Sequence, residues 1–143
     1  MKRFELELSK GSFRIHGHVQ EMGQDLLVSI WGGTQPHIGA VGIAIPRPNL
    51  KDRKTWSATS STFTFVGHKE DTLAKMISEK LAASLRRNIV VAIGIHWDGL
   101  TSKAIKRRGD KKGTLELESA FRVHLAINPF GHQGYFFLNS FQG

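Results

Sequence analysis

The chain has 143 residues and no cysteine, and twenty Lys plus Arg against twelve Asp plus Glu leave a net charge of +8. The length fits one domain, and an apolar fraction of 40% with only four prolines supports a packed core over wholesale disorder. The lack of cysteine excludes disulfides, thiolate zinc sites, cysteine-held iron–sulfur clusters and thiol catalysis.

Phe4, Leu6 and Leu8 alternate with Glu5, Glu7 and Ser9, which is the period of a half-buried strand. The same alternation gives Met1–Ser9 no signal-peptide apolar region, and no stretch approaches the roughly 18 apolar residues of a membrane span. The expectation is a soluble cytoplasmic protein. Phe13, Ile15 and Val19 indicate a second strand, and Leu26–Trp31 a third that ends at the Gly32-Gly33 turn signal. Ile38–Ile45 reads as a glycine-punctuated strand closed by Pro46, Pro48 and Asn49. After the polar Lys51–Lys54 loop, Trp56–Val66 is a further strand that stops at Gly67-His68.

The pattern then becomes helical. Leu73, Ile77, Leu81 and Leu85 recur every four residues, with Glu70 and Asp71 in the first turn and Arg86 and Arg87 in the last, as the helix dipole favours. Ile89–Ile95 is a buried strand, and Thr101 can cap a second, short helix over Ser102–Arg108. Leu115, Leu117, Val123, Leu125 and Ile127 are strand candidates, and Gly131–Gly143 has aromatics without a clear period. The fold expected is α+β: an antiparallel β-meander of about four or five strands, with the long Glu70–Arg87 helix on one face and the short second helix.

Lys103, Lys106, Arg107, Arg108, Lys111 and Lys112 are opposed only by Asp110, so this segment alone carries a net +5. Nucleic-acid binding wants aromatic side chains interleaved with such a cluster, and none lies between Gly99 and Ala120. That argues against nucleic acid and for a solvated helix end or a non-specific polyanion patch.

Seven histidines without a cysteine is an uneven supply of ligand chemistry. His37 follows the Gly32-Gly33 turn, His68 lies between a strand and the long helix, and His96 follows a buried strand. Loops and strand ends are where ligands are usually met. Imidazoles from separate elements can converge on a metal, with Asp98 or Glu70 as an oxygen ligand. Each can equally be a hydrogen-bonded surface residue, and no zinc signature such as His-Glu-x-x-His is present. The helix start at Gly67-His68-Lys69 offers amides and cationic donors to a phosphate, while Glu70 and Asp71 oppose a naked anion. His16 and His18 share one strand face and are read as structural. Ser57, Ser60 and Ser61 have no nucleophile-elbow context and are read as strand hydrogen-bonding residues.

The segments His37-Ile38-Gly39-Ala40-Val41, Gly67-His68-Lys69-Glu70-Asp71 and Gly94-Ile95-His96-Trp97-Asp98, in this order and spacing, resemble the LpdD-like prenylated-flavin chaperones. Members of that family are also known as accessory subunits of gallate-type non-oxidative hydroxyarylic acid decarboxylases. The resemblance runs from about Leu26 to Ile105. It implies a single domain over residues 1–113, with 114–143 as a weakly specified C-terminal extension. It also implies a small homodimeric α+β protein that accompanies a UbiD-type decarboxylase and binds prenylated FMN or FMN, without catalytic residues. Carried onto this chain, His37, His68, Lys69, Glu70, His96 and Asp98 become cofactor-binding candidates. His37, His68 and His96 become candidates for a divalent metal bridging to the flavin phosphate. Trp31 and Trp97 are candidates to flank the isoalloxazine. The family pattern continues as a polar helix after the third segment, and Gly109, Gly113 and the aromatic tail depart from it. Two other functions fit the same residues: a histidine-based metal-dependent hydrolase, and a polyanion-binding assembly scaffold using Lys103–Lys112.

Overall fold

Alternating apolar side chains build the first three strands, β1 (Arg3–Lys10), β2 (Phe13–Met22) and β3 (Asp25–Gly33), which pair antiparallel in sequence order. Their register stacks Phe4 beside Val19 and Val19 beside Val28, so one face of this part of the sheet is dry. The computed structural model describes residues 2–10, 13–68, 70–96 and 135–138.

The chain then forms a hairpin of β4 (Ala40–Pro48) and β5 (Trp56–Thr64), the helix α1 (Asp71–Leu85) and the strand β6 (Ile89–His96). A last strand, β7 (Tyr135–Leu138), runs parallel to β1. The sheet order is β5-β4-β6-β3-β2-β1-β7. The expected α+β class and mostly antiparallel sheet are present, with the long helix on one face. The sheet departs from a simple meander in the parallel β7 and, more consequentially, at β6. β6 inserts between β3 and β4, antiparallel to β4 and parallel to β3. Its apolar run explains this, because a strand flanked on both edges and covered by a helix needs Ile89, Val91 and Ile93 buried. The expected Ser102–Arg108 helix and the strand candidates from Leu115 to Ile127 lie outside the described residues.

Several boundaries differ from the sequence reading: β3 runs through Gly32-Gly33 instead of ending there, paired with β6, while β4 starts at Ala40 and β5 ends at Thr64. Pro46 and Pro48 do not close β4; the strand runs through both, paired with Ala58 and Trp56 of β5. β4 pairs with β6 only from Ala40 to Ala44, so both prolines lie where an N–H can be absent without breaking the β6 ladder. The helix begins at Asp71, with Glu70 at its N-cap, and ends at Leu85. Arg86 takes the left-handed C-cap conformation, its N–H donating to the carbonyl of Ala82, and its guanidinium lies 4.9 Å from the Trp56 ring centroid.

The buried stripe of α1 is Ala74, Ile77, Ser78, Leu81 and Ala82, set against Ala40 and Ala44 of β4 and the inner side chains of β6. Leu73 and Leu85, also predicted to face inward, pack on the core partly exposed. Ser60, read from sequence as hydrogen-bonding along its strand, instead donates its hydroxyl across to Glu79 of α1 at 2.6 Å. At the other end of the helix, Arg87 donates to the carbonyls of Gln24 and Gly23 and pairs with Glu21 at 3.0 Å. No helix among the described residues is long and apolar enough to cross a membrane. Truncating Ile77 to Ala should lower unfolding free energy by about 2–5 kcal/mol, read from urea or guanidinium melts.

Candidate functional site

Several pieces of chain meet at the same end of the sheet. Gly33 at the end of β3 is in register with His96 at the end of β6. The 34–39 segment links β3 to β4 and carries His37. The 65–70 segment links β5 to α1 and carries His68 and Glu70. Because β6 lies between β3 and β4, the 34–39 segment has to cross the end of β6. It is tied there by two bonds, Thr34 N–H to the carbonyl of His96 at 2.7 Å and Gly39 N–H to the carbonyl of Ile93 at 2.9 Å. The second segment is laced to the first, since Phe65 N–H donates to the carbonyl of Gly39 at 2.9 Å. His68 N–H in turn donates to the carbonyl of Phe65.

Two glycines make this crossing possible. A Cβ on Gly94 would stand 2.1 Å from the backbone carbonyl oxygen of His37. A Cβ on Gly39 would stand 2.5 Å from a carboxylate oxygen of Glu70. The first vacancy lets the His37 segment lie on β6; the second makes room for the Glu70 carboxylate.

The side chains converge accordingly. His37 Nε2 is 3.4 Å from Glu70 Oε1, and His68 Nδ1 is 3.8 Å from Glu70 Oε2. The His37 and His68 rings lie 4.5 Å apart, and the His96 ring meets His37 edge-on at 6.2 Å. His37 Nδ1 donates to the carbonyl of Gln35 at 2.9 Å. Glu70 makes no side-chain cap bond to its own helix; its carboxylate turns to the two histidines, beside the positive end of the helix dipole.

Of the residues expected from sequence, His37, His68, Glu70 and His96 come together here. Lys69, Trp97 and Asp98 lie outside the described residues. Trp31 is on the sheet face away from α1, opposite Gly94 in register and stacked on His16 at 5.7 Å between centroids. His16 also pairs with Glu7 at 3.5 Å, which fits its structural reading. Sequence reasoning overlooked Gln35, whose carbonyl orients His37, and the reason for Gly39 and Gly94. Neither role has a side-chain signature.

The architecture, a sheet carrying one long helix, is shared with a crystal structure titled as a novel chaperone complex for yeast 20S proteasome assembly. The TM-score is 0.54 at 10% identity, over 86% of this chain and 98% of that one. At this identity the likeness shows the fold alone. No curated protein matches the chain. The class defined by fold and site is therefore a sheet-and-helix protein with a histidine–carboxylate cluster at one sheet end.

Residues 9–113 match the prenylated flavin chaperone LpdD-like domain, and the chain belongs to that family. The match includes all three histidine-bearing segments on which the resemblance rested.

Gly94→Ala should destabilise the fold by about 1–3 kcal/mol, because the added methyl meets backbone and not a flexible side chain. The check is a denaturation midpoint together with loss of the His37 ring NMR shifts that report its contacts with His68 and His96.

Proposed function

We propose that this chain carries prenylated FMN, or FMN, for a UbiD-type non-oxidative hydroxyarylic acid decarboxylase. It acts as an accessory protein in the cytoplasm and contributes no catalytic residue. The observation that carries this reading is the meeting of His37, His68, Glu70 and His96 at one sheet end in a member of a prenylated-flavin chaperone family. A flavin phosphate brings about two negative charges and several acceptor oxygens. Imidazole N–H groups and the Lys69 ammonium suit it as donors, with Asp98 as an orienting acceptor. Ile38 and Phe65, both half exposed on the segments that carry the histidines, supply apolar surface for the ring system. Such a site holds, shields and releases a ligand. It needs neither a nucleophile nor a general base.

The metal-dependent hydrolase reading draws on the same cluster, and the polyanion scaffold reading rests on Lys103–Lys112, outside the described residues. Anaerobic titration with FMN and with reduced prenylated FMN, followed by difference absorbance and calorimetry, separates the readings. Saturable binding is expected, weakened about tenfold to a hundredfold by His68→Ala. Failure of both flavins to bind without oxygen would overturn the carrier function.

The working unit we propose is a homodimer. Ile43, Ile45 and Phe63 are 49%, 58% and 66% exposed, on the sheet face opposite α1. A second copy laid on this face would bury the same apolar patch twice in an isologous contact. Light scattering should then give a dimer for the natural chain and a monomer for Phe63→Asp.

A further inference from the structure

His37 Nε2 and Glu70 Oε1 stand at the separation of two ligands on one ion, wider than a charge-assisted hydrogen bond, and His68 Nδ1 stands slightly beyond that separation. His37 Nε2 to Glu70 Oε1 is 3.4 Å and His68 Nδ1 to Glu70 Oε2 is 3.8 Å. All three ligand atoms lie within 4.8 Å of one another. A charge-assisted hydrogen bond would draw nitrogen and oxygen to about 2.7–2.9 Å. Two ligands on a tetrahedral ion with bonds of about 2.0–2.1 Å stand about 3.3–3.4 Å apart.

The proton inventory points the same way. A carbonyl only accepts, so the Gln35 carbonyl 2.9 Å from His37 Nδ1 places the ring proton on Nδ1. In the neutral ring Nε2 then carries a lone pair. This nitrogen is buried and has no hydrogen-bond partner. It faces a carboxylate, which also offers only lone pairs. Two acceptors directed at each other are unfavourable unless a proton or a cation lies between them. A histidine whose second nitrogen is fixed by a carbonyl is the usual arrangement for a metal ligand.

We propose that His37 Nε2, His68 Nδ1 and the Glu70 carboxylate form a site for a divalent transition metal of the zinc or cobalt kind, its open positions available to a phosphate oxygen. Two imidazoles and one carboxylate suit such ions, whereas calcium and magnesium favour all-oxygen shells. The ion also resolves an electrostatic conflict. The Glu70 carboxylate beside the two imidazoles opposes an incoming phosphate, and a divalent cation held there offsets that charge. Glu70 takes the place that the sequence reading gave to His96, whose ring is 6.2 Å from that of His37. The cation site stands on these side chains alone; its use for phosphate rests on the flavin reading.

The test uses the full chain, stripped with a chelator and titrated with Co²⁺ alone, following the visible d–d bands, with Zn²⁺ as competitor. One Co²⁺ per chain is expected, displaced by Zn²⁺. Affinity should fall at least about tenfold in His37→Ala and in Glu70→Gln and stay unchanged in His16→Ala. Circular dichroism confirms that each variant is folded. If His37→Ala does not fold, the near-isosteric Glu70→Gln decides alone. No Co²⁺ binding by the natural chain, or equal binding by Glu70→Gln, overturns the site. Inorganic phosphate added to the Co²⁺-loaded chain should shift the bands, and an unshifted spectrum overturns the phosphate role. Flavin binding by a chain that takes no Co²⁺ would refute the metal and leave the carrier standing. Co²⁺ binding with no flavin binding would do the reverse.

Discussion

Burial of Ile89, Val91 and Ile93 between two strands and beneath α1 is the constraint on which the rest of the molecule depends. A strand this apolar has no stable place at a sheet edge, so β6 takes the centre and parts β3 from β4. The connection between those two strands must then pass over the end of β6. His37 rides on that connection, His96 ends the strand being crossed, and Glu70 starts the helix that covers it. The cluster follows from where the hydrophobic strand goes.

The chemistry of the cluster follows from how polar groups share a small space. Glu70 stands at a helix N-terminus, where negative charge is favoured, yet its carboxylate makes no cap bond to the helix amides. Its oxygens face two imidazoles, one of which has already committed its proton to the Gln35 carbonyl. Such an arrangement recruits positive charge more readily than it abstracts protons. Binding is therefore a more natural use for it than proton-transfer catalysis, in keeping with membership of a flavin chaperone family.

Much of this was legible along the chain, because strong periodicities survive folding. The alternation at Phe4 and Leu6 and the four-residue spacing at Ile77 and Leu81 both correspond to buried faces. The histidines at element ends were legible as well, since chain ends at turns are where sites form. Strand order was not. Nothing local to Ile89–Ile95 says which neighbours it will separate, and that depends on a crossover through α1. The prolines of β4 misled because their penalty depends on which edge is paired, a property of the sheet and not of the residue. The oxygen partner in the cluster was left open between Glu70 and Asp98 because spacing along the chain does not specify side-chain direction.

Arg87 gives the molecule an uneven stiffness. Its guanidinium fastens the β2–β3 turn to the exit of the helix through two carbonyls and a carboxylate, a full strand length from the histidines. The far end of the sheet is thereby riveted, while the histidine end is held mainly by backbone bonds of two short connections. On the carrier function proposed above, uptake and release of a ligand would call on those connections and leave the frame that carries them undisturbed.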